Sequence, residues 1–237
     1  MIKPLLRKFL GKKYPMFVKI YWRIISVLYP LFFKRDRVLV YAGINIGDSF
    51  QKIHFKYKKV IGFEPNPENF KKLNFYNTSK RIDIYNYALS NRRGIFKFHL
   101  PDNKNNDASA SLSDFIPKNR YQTKTIIDVE TINLCAFLKD LGIEFIDFYI
   151  SDIEGYDYTV LKTLEKEFIK TKKILKIQVE AVNNNEENPY ISVSNFENDF
   201  DNLLQNNYKK TGRGSGFVND GDNFSGKTLD LLYLKKD

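Results

Sequence analysis

The sequence predicts an α/β fold, with a mainly parallel sheet covered by helices on both faces. Three observations point there. Apolar, β-branched runs alternate with stretches of helical periodicity along most of the 237 residues. The first run, Val38-Leu39-Val40-Tyr41, enters a turn bearing Gly43 and Gly47, and the second, Val60-Ile61-Gly62-Phe63, ends on Glu64, 21 residues after Gly43. A later run, Ile146–Ile150, gives way to Asp152, Glu154 and Gly155 and then to a helical pattern. The strand, glycine turn, helix and strand-end acid are half of a nucleotide-binding βαβ unit, in which glycines admit a ligand to the backbone and the carboxylate suits the hydroxyls of a ribose.

Taken in order, the strand-like segments are Val38–Tyr41, Lys59–Phe63, Ile82–Tyr87, Ile95–Leu100, Thr125–Thr131, Phe145–Ile150, Ile174–Val179 and Leu229–Leu234. Helical spacing runs over Asp48–Tyr57, Pro67–Tyr76, Leu134–Leu141, Tyr156–Phe168 and Val193–Asn206. Strands separated by helices need parallel crossovers, hence a sheet buried on both faces. Ile95–Leu100 and Thr125–Thr131 have no helix between them and predict an added antiparallel hairpin. Three polar or glycine-rich loops, Asn103–Ser113, Asn183–Asn188 and Gly212–Gly226, lie beside strand ends, where α/β enzymes build substrate sites.

Composition narrows the function classes. The 43% hydrophobic content supports one sizeable domain. A single cysteine, Cys135, excludes a disulfide framework or a Cys-rich zinc site, and His54 and His99 are too few for a histidine-based metal site. The net charge of +10 is concentrated at one end: residues 1–37 hold ten Lys or Arg against Asp36, and the remaining 28 basic and 27 acidic residues nearly cancel. The body therefore lacks the positive surface that phosphate binding requires, so no nucleic-acid partner is expected. Asn188-Pro189-Tyr190 resembles an adenine-methylating motif but follows the wrong strand for that role.

Residues 1–37 read as a basic, aromatic helical arm and residues 38–237 as the catalytic domain. Lys19 and Arg23 near the middle of the apolar stretch, with Pro15 and Pro30, argue against a membrane-spanning helix. Two readings of the arm stand. It lies as a peripheral helix on an anionic membrane, placing the protein at the inner face, or it packs on a cytoplasmic domain.

The carboxyl ends of parallel strands face the ligand crevice, so Asp152, Glu154 and Glu180 are candidate acid–base residues, with His99 behind them. Asp152, Glu154 and Asp157 could also hold a hard cation, although three acids at a helix start also suit the helix dipole, and the sequence does not require a metal.

Together, Gly43-Ile44-Asn45-Ile46-Gly47, Phe63-Glu64-Pro65-Asn66-Pro67, Asn86-Tyr87-Ala88-Leu89-Ser90 and Asp152-Ile153-Glu154-Gly155, followed by Val160-Leu161-Lys162, resemble the FkbM-type methyltransferases over roughly residues 38–182. The resemblance implies a class I methyltransferase, Rossmann-like fold with a seven-stranded sheet. It also implies S-adenosylmethionine as cofactor and O-methylation of a sugar, glycolipid or small metabolite. Carried over, Gly43, Asn45 and Gly47 lie under the methionine and ribose. Glu64, with Pro65, binds the ribose, Asn86 to Ala88 lie near the adenine, and Asp152 closes the site beside the sulfonium. Two positions depart from the family pattern: Tyr41 stands where an acid is usual, and Ile150 where a lysine is usual. A non-catalytic, membrane-associated scaffold is the alternative these departures leave open.

Overall fold

A computed structural model describes Ile24 and residues 37–101, 110–114, 123–214 and 228–237. Most of the predicted arm and much of the loops Asn103–Ser113 and Gly212–Gly226 lie outside these residues. Among the described residues ten strands follow in chain order: β1 Val38–Ala42, β2 Lys59–Phe63, β3 Ile82–Tyr85, β4 Ala88–Ser90, β5 Gly94–Pro101, β6 Thr123–Asn133, β7 Ile146–Ser151, β8 Ile174–Val182, β9 Tyr208–Gly214 and β10 Thr228–Lys235. The α-helices are α1 Pro67–Leu73, α2 Leu134–Asp140, α3 Asp157–Thr163 and α4 Glu197–Leu204.

Seven strands form one sheet in the order β3-β2-β1-β7-β8-β10-β9. The five from β3 to β8 run parallel, and β10 enters antiparallel between β8 and β9. The chain winds outward from β1 to β3, then returns to lay β7 on the other side of β1. The strand order thus reverses between β1 and β7, which opens a crevice at their carboxyl ends. β4, β6 and β5 make a second, three-stranded sheet that includes the predicted hairpin.

Alternation along the central strands explains two cores. Val40, Ala42, Ile61, Phe63 and Tyr149 face α2, α3 and α4 through Leu138, Val160, Leu161 and Phe200. Leu39, Tyr41, Val60, Phe148 and Ile150 face the other way, toward Phe50, Ile53 and Leu73. Ile150 is thus a core residue, which accounts for an apolar side chain at that position. Among the described residues no helix is long and apolar enough to cross a membrane.

The structure corrects four sequence expectations. Asp48–Tyr57 is not one helix but two 3-10 turns, Phe50–Lys52 and His54–Lys56, interrupted at the β-branched Ile53. This break lets Phe50 and His54 stack at 5.0 Å beneath the sheet. Tyr156–Phe168 divides into α3 and a π turn at Glu165–Ile169. The predicted strand Ile82–Tyr87 stops at Tyr85, and the chain re-enters strand only at β4. Finally, β9 was not anticipated. Its sequence, YKKTGRG, is rich in charge and glycine, as suits an edge strand that must resist pairing with other chains.

His54 is 2% exposed, stacked on Phe50, with Nδ1 3.2 Å from an Arg81 guanidinium nitrogen. Burial first, and the Arg81 charge second, lower its pKa from 6.5 to about 3. The unfolded chain therefore binds the extra proton more readily. The stability that neutral His54 contributes is complete above pH 6.5 and is lost as pH falls toward 3, at up to about 1.4 kcal/mol per pH unit. Urea unfolding of wild type and His54→Phe at pH 6.5 and 4.5 checks this: the variant should lose less stability on acidification, and equal losses would remove His54 as the cause.

Candidate active site

The first wall of the crevice is the turn after β1. Gly43 has φ +78°, and a Cβ there would fall 1.9 Å from the Asp152 carbonyl oxygen, so only glycine lets β1 and the β7 end meet. The Gly43 and Ile44 amides both donate to the Phe63 carbonyl, at 3.1 and 3.2 Å. Asn45, at φ +55°, then aims its own amide at Glu64 Oε2, 2.7 Å away. The Asn66 amide donates to the other oxygen of the same carboxylate, Oε1, at 2.9 Å. Asn66 also caps α1 by accepting from the Glu68 amide, with Pro67 pre-set at the first helical position. Asn86 Nδ2 completes the lock by donating to the carbonyls of Glu64 and Pro65, at 2.8 and 2.9 Å.

The opposite wall is acidic. The β7 strand runs into Asp152, whose amide donates to the Ala42 carbonyl at 3.2 Å. Glu154 follows at φ +53° and Gly155 at φ +98°, where a Cβ would fall 2.5 Å from the Tyr190 ring. Tyr190 donates its hydroxyl to Glu154 Oε2 at 2.6 Å, and Ser111 donates to the Glu154 carbonyl at 2.5 Å. Glu180 arrives from β8, directly opposite Asp230 of β10. Carboxylate oxygens of Asp152, Glu154 and Glu180 lie within 4.8 Å of one another. Asp157 is turned away to accept from Ser151 Oγ at 2.5 Å and the Ile153 amide at 3.3 Å, so Glu180 rather than Asp157 completes the cluster.

These acids raise one another's pKa. Asp152 is accessible from the crevice, yet crowding protein atoms, followed by the charge of Asp230, push it up to about 7. Burial and then Asp152 push Glu154 up to about 8. Burial raises Asp157 to about 7 against the opposing hydrogen bond from Ser151, and Glu180 stands well above the usual carboxylate range for lack of solvent and for its three acidic neighbours. Tyr41 is buried beside Asp152 and Asp230, which holds its phenol protonated.

The crevice between the walls is an open cleft with a cavity volume of about 90 Å³. Of the sequence-predicted residues, Gly43, Asn45, Glu64, Pro65, Ala88, Asp152 and Glu154 line it. Asn86 holds the Glu64 turn and lines a neighbouring hollow. Glu180 joins through the carboxylate cluster. Gly47 faces Leu73 and Tyr76 instead. His99 stays on the hairpin, with Nδ1 3.4 Å from Asp114, and does not line the crevice. Sequence reasoning assigned no functional role to Tyr190 or Asp230, nor to the crevice-lining residues Tyr156, Phe98 and Leu112. Tyr190 did carry a signal, because the Asn188 side chain accepts the Tyr190 amide at 3.0 Å and donates to the Val193 carbonyl, fixing the turn that delivers the ring.

Residues 42–210 match the Methyltransferase FkbM domain. The chain belongs to the FkbM methyltransferase domain family. The class I methyltransferase fold implied by the resemblance is the one observed, including the antiparallel strand inserted near one edge. The chain is 30% identical over 175 residues to the 2-O-methyltransferase NoeI of Sinorhizobium fredii, covering 66% of this chain and 68% of that protein. Among solved structures, it is similar to methyltransferase FkbM from Methylobacillus flagellatus KT (TM-score 0.48, 15% identity), with 89% of this chain covered but only 47% of that one. It is also similar to the N-methyltransferase NodS of Bradyrhizobium japonicum WM9 (TM-score 0.46, 9% identity; 96% and 99% covered). The chain thus spans about half the length of the first of these structures.

At Gly43 the FkbM turn leaves no room for a side chain. Gly43→Ala should cost more than the ~1–2 kcal/mol of a left-handed alanine alone, because the added carbon also strikes Asp152 backbone. Chemical denaturation reads the loss, and a cost below ~1 kcal/mol would mean that the two walls can separate.

Proposed function

We propose that this FkbM chain is an S-adenosylmethionine-dependent O-methyltransferase acting on a hydroxyl of a sugar, glycolipid or small metabolite. The observation that carries this reading is the placement of Glu64 and Asp152 on opposite walls of one crevice, both tied to the Gly43–Asn45 turn. The residues fit the cofactor. The glycine cradle at Gly43 admits a ligand to the backbone. Glu64 accepts the Asn45 amide on one oxygen and the Asn66 amide on the other, and a carboxylate so held suits two vicinal hydroxyls. Tyr87, Ala88 and Leu89 offer an apolar wall for a base. When bound, S-adenosylmethionine supplies an electrophilic methyl carbon on a sulfonium.

The chain's own contribution is orientation and proton removal. Asp152 is the carboxylate accessible at the crevice, and it accepts the proton of the acceptor hydroxyl or holds that hydroxyl in line. Glu154, steadied by Tyr190, is the second proton acceptor. Phe98 and Leu112 add apolar lining to the crevice. The likeness to NoeI supports oxygen as the methylated atom. A small-molecule or glycan acceptor fits the near-neutral body better than a nucleic acid. The basic stretch 1–37 would serve as an arm that brings domain 38–237 to an anionic membrane surface.

Calorimetry with S-adenosylhomocysteine tests the cofactor assignment. Glu64→Ala leaves two buried amides unpaired and should weaken binding ~10-fold or more. Asp152→Asn should leave that affinity within a few-fold and lower S-adenosylhomocysteine formation by ~100-fold or more with a responsive sugar acceptor. No binding by the wild-type chain would favour a non-catalytic scaffold, and the reverse pattern of defects would exchange the two assignments.

A further inference from the structure

Three carboxylates converge in the crevice, and among the described residues no lysine or arginine pairs with Asp152, Glu154 or Glu180. Their neighbours are further acids, Asp157 and Asp230. The cluster also contains a buried oxygen that nothing satisfies: Glu180 Oε2 is shut off from solvent without a hydrogen-bond partner. A buried carboxylate oxygen without a partner is costly, and a bound cation relieves both this cost and the mutual repulsion of the acids.

We propose that Asp152, Glu154 and Glu180 bind one hard divalent cation, whose open coordination positions face the crevice and take oxygens of the methyl acceptor. The acceptor part of this inference rests on the methyltransferase reading above; the cation site itself rests on the side chains. Geometry permits it. Three oxygens held at ~2.3–2.6 Å from one ion lie up to ~4.0–4.5 Å apart, so oxygens within 4.8 Å of one another share an ion after a small side-chain adjustment. The shorter ~2.0–2.1 Å bonds of Mg²⁺ need a closer approach. An all-carboxylate set selects Mg²⁺, Mn²⁺ or Ca²⁺ over metals that prefer nitrogen or sulfur.

The sides of the site are unequal. Glu180 and Glu154 are set into the protein, and Tyr190 occupies Glu154 Oε2, leaving Oε1 to the ion. Asp152 stands at the open side. Ligands on one side and an opening on the other suit an ion that holds two neighbouring acceptor oxygens, such as a vicinal diol, and polarises the one to be methylated. The acceptor class narrows accordingly to polyols and sugars with adjacent free hydroxyls.

The test is calorimetric titration of Mn²⁺ into the chelator-treated full chain, run beside S-adenosylhomocysteine titration of the same sample. One saturable Mn²⁺ per chain is expected, with affinity reduced ~10–100-fold or more by Glu180→Gln and by Asp152→Asn, and unchanged by the remote Glu167→Gln. Retained S-adenosylhomocysteine binding certifies that each variant is folded. Mn²⁺ binding that survives both Glu180→Gln and Asp152→Asn overturns the site. No Mn²⁺ binding to a wild-type chain that binds S-adenosylhomocysteine overturns it too, and leaves the methyltransferase reading standing. Failure of S-adenosylhomocysteine alone, with Mn²⁺ binding sensitive to Glu180, supports the cation site and removes the reading beneath its acceptor role.

Discussion

The carboxylate of Glu64 holds the crevice in shape. It is 5% exposed and receives one backbone amide on each oxygen, Asn45 from the turn after β1 and Asn66 from the turn after β2. Charge-assisted bonds of this kind are about twice as strong as neutral ones. Here they join two loops that the β1–β2 ladder alone would leave free beyond Phe63. Everything else at this wall depends on that bridge: the cap of α1 by Asn66, the contact from Asn69 to the Asn45 side chain at 3.1 Å, and the clamp of Asn86 on the carbonyls of Glu64 and Pro65. The crevice wall is therefore held in shape by the chain's own bonds, which would spare a ligand the entropy of ordering two loops.

The other wall depends on how the sheet closes. Because β10 inserts antiparallel beside β8, Asp230 comes opposite Glu180 and adds its charge to the acids at the β7 end. The outer edge is secured by Glu197 of α4. Although burial alone would raise its pKa, Glu197 is held below the usual range by Arg213 and Lys210 of β9. Arg213 grips both of its oxygens at 3.0–3.2 Å, and Tyr233 of β10 reaches Asp201 one helical turn on. An acid with its cations at the edge, and acids without cations at the centre, is an uneven distribution of charge of the kind found at functional sites.

Local patterns made most of the fold legible. β2 could be read to the residue because Val60-Ile61-Gly62-Phe63 is apolar and bounded by polar residues, and helical spacing over Leu134–Leu141 announced α2, which Asn133 caps. The turn at Gly43 and the acid at Glu64 were legible because their spacing reflects one strand–turn–helix unit. What the sequence concealed was tertiary. β9 forms from lysines, glycines and an arginine because α4 supplies the carboxylates that pair with them. Asp157 looked like a member of the acid cluster from its position at the helix start, but Ser151 captures it. Glu180 was legible as a strand-end acid, though nothing local to β8 reveals its approach to Asp152 and Glu154.

Asn45 and Glu154, two of the four described non-glycine residues with left-handed backbone, both line the crevice. Such conformations typically cost about 1–2 kcal/mol apiece, and glycine would relieve them. Stability and site geometry therefore pull these two positions in opposite directions. A lineage that no longer needed the crevice would gain by drifting to glycine there. The asparagine and the glutamate are a standing tax on the fold, and their retention in this chain is what continued use of the site would leave behind.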